Sequence, residues 1–179
     1  MIRVSKLNAA RRQLDCAIEL WFADKDEVSI HALAAAAHQI IHDINQKKGG
    51  GELLFDSAII KDEYRSKWIS ILKKAMNFFK HAGKDAEEIL EFPPISSEAF
   101  MLFSIMGLEK IGEPANDTEK AFLDWLAFHR PELMTETFRK VIEERIPVEH
   151  LHELRSLSKS EFFASIMRAR AESRYGSSF

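Results

Sequence analysis

A chain of 179 residues, 46% of them hydrophobic, is long enough for one ordinary domain with a real core. Its 25 basic and 28 acidic residues leave a net charge of −3, which excludes a global field that would draw the whole protein to nucleic acid or anionic lipid. No run approaches the ~20 apolar residues of a membrane helix, and Met1-Ile2-Arg3-Val4-Ser5-Lys6 lacks the apolar core of a signal peptide, so the expectation is a soluble cytoplasmic protein with no membrane partner.

From Ser5 to Phe22 the apolar residues Leu7, Ala10, Leu14, Ala17, Ile18 and Trp21 recur at three and four, which predicts an amphipathic helix. The single Cys16 reads there as a small buried hydrophobe suited to a reducing compartment. Ser29 is the expected N-cap of a second helix, ended by Lys47-Lys48 and Gly49-Gly50-Gly51. Glu52 to Ile60 reads as extended chain or a short turn. Asp62 to His81 then carries Trp68, Ile69, Ile71, Leu72, Ala75, Met76, Phe78 and Phe79 on a helical period, with Gly83 as the stop.

Phe92-Pro93-Pro94 cannot continue a helix and predicts an extended crossing. Ser96 or Ser97 is the expected cap of a helix through Phe100, Leu102, Phe103, Ile105, Met106 and Leu108, stopped near Gly112. Asn116-Asp117-Thr118-Glu119 and Ser158-Lys159-Ser160-Glu161 have capping-box spacing ahead of apolar runs. Between them Pro131 opens a helix with Leu133, Met134, Phe138, Val141 and Ile142, and Pro147 a short helical turn. Nothing repeats and no stretch has the period-two alternation of a strand. The expected fold is all-α, a single-domain helical bundle of about seven or eight helices over residues 1–171, with a flexible tail at 172–179 where periodicity is lost.

The chemistry-bearing feature is the second helix. At about 100° per residue, His31, His38 and His42 fall within roughly 40° of one another, at the edge of the face bearing Ile30, Ala34 and Ile41. On the third helix Glu63, Ser70, Lys74, Asn77 and His81 recur at seven, four, three and four, as a polar stripe beside the aromatic face. If the glycine break lets these helices pack as antiparallel neighbours at the centre of the domain, the two rows face each other, with Phe78 and Phe79 largely buried and His38 at a margin. Two chemistries suit such a site. His31, His38, His42 and His81 could ligate a transition metal ion, although Gln39 and Ile40 after His38 do not fit the zinc-protease pattern. Alternatively one histidine carries a proton while Asn77 and Lys74 stabilise an anion. Against both stands the reading of helix-edge histidines satisfied by their surroundings, and the pairs Arg11-Arg12, Lys47-Lys48 and Lys73-Lys74 read as solvated faces.

The run Met76-Asn77-Phe78-Phe79-Lys80-His81, near the end of a long amphipathic helix, resembles the signature of HEPN domains: Arg, a polar residue often Asn, three variable residues, then His. Asn77 and His81 match by position, and Met76 stands where the family has arginine. The resemblance implies a helical bundle, commonly a homodimer, whose active members are metal-independent RNases of toxin and antiviral systems, with His and Arg at a composite dimer site. It implies Asn77 and His81 as site residues and RNA as a partner. With Met76 at the arginine's place, the expectation is a HEPN-like binding or regulatory module with nuclease ancestry, with a histidine metal-binding protein and a plain interaction domain as alternatives. The chain as a whole also resembles bacterial proteins carrying an Asn-Phe-Phe-Lys-His run, which implies no activity.

Overall fold

Every regular element among the described residues is helical, as the three-and-four spacing predicts. The computed structural model describes residues 1–57, 61–83, 86–133, 136, 140 and 148–176. Seven α-helices occur among them: α1 (Lys6–Phe22), α2 (Glu27–Lys47), α3 (Asp62–Phe78), α4 (Ile95–Lys110), α5 (Asp117–His129), α6 (Val148–Ser156) and α7 (Lys159–Gly176), with a 3-10 turn at Pro131–Leu133. The helix expected after Pro131 falls mostly outside the described residues, as do 177–179 of the expected tail; the short helical turn expected to open at Pro147 corresponds to α6, described from Val148, and 172–176 continue α7.

The helix ends show which local signals won. Ser5 accepts from the Asn8 N–H at 3.1 Å to start α1. At α2 the cap is Asp26 and not Ser29: the Asp26 carboxylate accepts from the Ser29 N–H at 2.8 Å and hydroxyl at 2.6 Å, so Ser29 sits one turn inside. Neither Ser96 nor Ser97 caps α4, which begins at Ile95 behind Pro94, with the Ser96 hydroxyl donating to Pro93 O at 2.9 Å. Both expected capping boxes are present, at Asn116/Glu119 and Ser158/Glu161. The C-terminal ends of α2 and α4 are closed alike. Gly49 and Gly112 take the left-handed conformation (φ +69° and +85°), and the next N–H bonds back, Gly50 to Asn45 O and Glu113 to Leu108 O, each at 2.9 Å.

The described chain forms two compact units: Met1–Trp21 with Lys25–Ala115, and Phe22–Asp24 with the described residues from Asn116 onward. In the first unit the main partner of α2 is α4, and α3 touches α2 less extensively than the pairing of histidine rows required. The two partners run parallel. His31 meets Ser97 near their starts, Gly107 lies against Ile41 further on, and at their ends the Lys48 ammonium donates to Ile111 O at 3.3 Å. Buried Ala34, Ala35 and Ala37 on one helix, with Ser97, Ser104 and Gly107 on the other, permit the close approach. Parallel helix dipoles repel at their shared C-terminal end, and Lys47, Lys48 and Lys110 stand there as compensation. Cys16 is exposed, off the buried stripe of Ala10, Leu14, Ala17, Ile18 and Trp21, which corrects its reading as a core residue.

In the second unit α5 packs on α7 and α6 around an aromatic cluster. Phe22 stacks on Phe163 at 4.6 Å and meets Trp125 edge-on at 6.1 Å, while Phe162 is fully buried against Trp125 and Phe128. His129, the last residue of α5, stacks on Trp125 at 3.5 Å, and burial holds its pKa below the ordinary value. Arg170 pairs with Asp124, and Arg155 donates to Phe128 O at 2.9 Å.

Candidate functional site

His31, a turn into α2, is fully buried in a box of three rings, with centroids 5.7 Å from Phe79, 5.3 Å from Phe92 and 5.4 Å from Phe100. Its Nδ1 lies 3.1 Å from the Ser97 hydroxyl and 3.4 Å from that of Ser96. Since Ser96 already donates to Pro93 O and buried Ser97 has no other acceptor among the described residues, Ser97 donates to Nδ1, and the ring proton sits on Nε2. That Nε2 has no partner, and burial lowers the His31 pKa from 6.5 to about 4.

Two turns on, His38 is also fully buried, packed on Phe55 at 4.7 Å and Phe100 at 5.4 Å, and neither of its ring nitrogens has a hydrogen-bond partner. Burial, then the charges of His42 and Lys73, push its pKa down to about 3. These two histidines therefore belong to the core, which corrects their placement at the margin of the apolar face. His42 does lie at the margin: its Nδ1 is 3.6 Å from the Asp43 carboxylate and its Nε2 3.6 Å from that of Asp56. It shares the Phe55 ring with His38, at a His38–His42 centroid distance of 6.1 Å.

Phe55 reaches this place because residues 52–57 fold inward. Leu53, Leu54 and Phe55 are buried, the Asp56 carboxylate accepts from the Leu53 N–H at 2.7 Å, the Trp68 indole donates to Leu54 O at 2.8 Å, and the Lys73 ammonium lies 4.7 Å over the Phe55 ring. The apolar triplet Leu53-Leu54-Phe55 was the available signal for this plug. Without a period it reads only as a connection.

Asn77 and His81 stand apart from the buried histidines. The helix stops at Phe78, short of the expected His81, and both side chains are exposed; the His81 N–H still donates to Asn77 O at 3.1 Å, which keeps the pair one turn apart. Met76, between them and the core, is buried, whereas Phe78 and Phe79 are only half-buried, which corrects the expectation that both are core. Among the described residues no three His, Cys, Asp or Glu side chains converge as a metal-holding group.

The structure adds two features along α3. First, the helix is covered unusually little: Trp68, Ile69, Leu72, Phe78 and Phe79 are half-buried, and Tyr64 and Ile71 are 57% and 59% exposed. Second, a cavity of about 180 Å³ opens beside it, walled by Ile71, Leu72, Ala75, Leu90, Phe92 and Pro93, floored by His31 and Ser96, with Lys74 and Glu91 at its mouth. No protein-family profile, curated protein or solved structure matches the chain.

Proposed function

We propose that this chain is a HEPN-like helical binding or regulatory module of the cytoplasm, acting without catalysis, with α3 as its recognition helix and a homodimer as its working form. The observation that carries the reading is the exposed stripe Tyr64, Ile71 and half-buried Phe78, spaced by seven residues and flanked by exposed Lys67 and Lys74. Apolar side chains at that spacing on a helix otherwise anchored by Ala75 and Met76 suit helix-to-groove or helix-to-helix recognition. Met76 supports a non-catalytic role, because the position that carries arginine in HEPN nucleases here points into the core. Exposed Asn77 and His81 fit nuclease ancestry, with RNA as a further ligand of this end of α3. A histidine metal site is less favoured, since His31 and His38 are enclosed by rings and His81 is distant in environment from both.

Sedimentation of the full chain at rising concentration tests the reading. The expected result is a dimer that Tyr64→Glu converts to monomer without loss of helicity. A chain that stays monomeric and also fails to bind RNA in a salt-dependent manner overturns it.

A further inference from the structure

Four polar residues line the cavity beside α3, and each has a definite state. His31 is neutral, its Nδ1 engaged by Ser97 and its Nε2 without a partner; the Ser96 hydroxyl is spent on Pro93 O. Lys74 and Glu91 are exposed at the mouth, carry opposite charges, and pair neither with each other nor with any other described residue. The remaining walls are aliphatic or aromatic. A volume of about 180 Å³, open to solvent at its mouth, accommodates one ring or one branched aliphatic group.

From this we infer that the cavity is a site for a small zwitterionic amphiphile of the α-amino-acid class, its apolar side chain inserted among Ile71, Leu72, Ala75 and Phe92, its carboxylate at Lys74 and its ammonium at Glu91. A purely apolar ligand would leave both mouth charges unused. A simple carboxylate would gain Lys74 but set its charge beside Glu91, and a simple amine would meet the reverse penalty. The zwitterion alone offers each mouth charge an opposite partner. This inference deepens the binding-module reading by giving it a regulatory ligand.

The test is a titration of the full chain, followed by backbone amide NMR, with L-leucine and L-phenylalanine as probes and hexanoate, hexylamine and glycine as comparisons. Leucine or phenylalanine is expected to shift the amides of Ala75, Phe92 and Ser96 saturably. Hexanoate and hexylamine, each lacking one charge, should bind about two- to fivefold more weakly, in line with one exposed charge contact, and glycine, lacking the apolar side chain, should give no saturable shift. Lys74→Met and Glu91→Gln should each weaken leucine by a similar factor while leaving the melting curve unchanged, and Glu91→Gln, which lies off α3, should also leave the dimer unchanged. No saturable shift with either amino acid, equal binding of hexanoate or hexylamine, or leucine binding indifferent to both variants overturns the site. The dimer measurement is untouched by that failure, so loss of the ligand and loss of the binding-module reading are read separately.

Discussion

An imidazole enclosed by Phe55 and Phe100 with no partner on either nitrogen gives up its hydration and gains packing alone. His38→Phe, which keeps a ring and removes the unpaired polar atoms, is therefore expected to leave stability unchanged or raise it by up to about 2 kcal/mol. His38→Ala should instead cost about 2–4 kcal/mol through the void left between two rings. Chemical denaturation of both variants checks this; a phenylalanine variant as damaged as the alanine one would mean that the nitrogens have a partner. The histidine stripe was legible in the sequence, because the helical period fixes which side chains share a face. What covers the face was not legible, because Phe55 arrives from a segment without period and Phe100 from a helix more than sixty residues away. Period alone therefore left three aligned histidines equivalent, whereas the structure makes two of them core and one a margin residue.

At the scale of elements, helix existence followed from spacing, and the capping boxes at Asn116 and Ser158 followed from local chemistry that needs no tertiary context. Asn116→Ala should destabilise α5 by about 1 kcal/mol, seen as earlier amide exchange in its first turn. Pairing was not legible: a short connection suggested α2 with α3, while the small residues on α4 that let it approach α2 have no signature until the partner is known. Gly107 is the sharpest case. A Cβ there would stand 2.6 Å from Ile41 Cγ2 and 2.9 Å from Leu53 Cδ1, both on fully buried side chains. Gly107→Ala would gain about 1 kcal/mol of helix propensity yet is expected to lower stability by about 1–2 kcal/mol net, because overpacking outweighs it. A more stable alanine variant would show that α2 and α4 have room to separate.

For the molecule as a whole, the two buried histidines set an acid limit. In the unfolded chain a histidine takes up its proton near pH 6.5, whereas folded His31 refuses it until about 4 and folded His38 until about 3. Above pH 6.5 neither affects stability. Below it the unfolded state binds more protons, so each histidine removes about 1.4 kcal/mol per pH unit, down to its folded pKa. Guanidinium denaturation at pH 7, 6 and 5 should show this decline, and the His31→Phe, His38→Phe double variant should flatten it. An equal slope in the double variant would place the acid sensitivity elsewhere.

The parallel alignment of α2 and α4 also bears on how the chain is made. His31 and Ser97 are 66 residues apart, and elongation proceeds at about 5–20 residues per second. The buried face of α2 thus leaves the ribosome about 3–13 s before its partner exists. An up-and-down hairpin would close at once; here α3 and the 52–57 plug are the first cover available, and a nascent chain arrested between Gly83 and Pro94 should recruit holdase chaperones more strongly than one extended past Gly112.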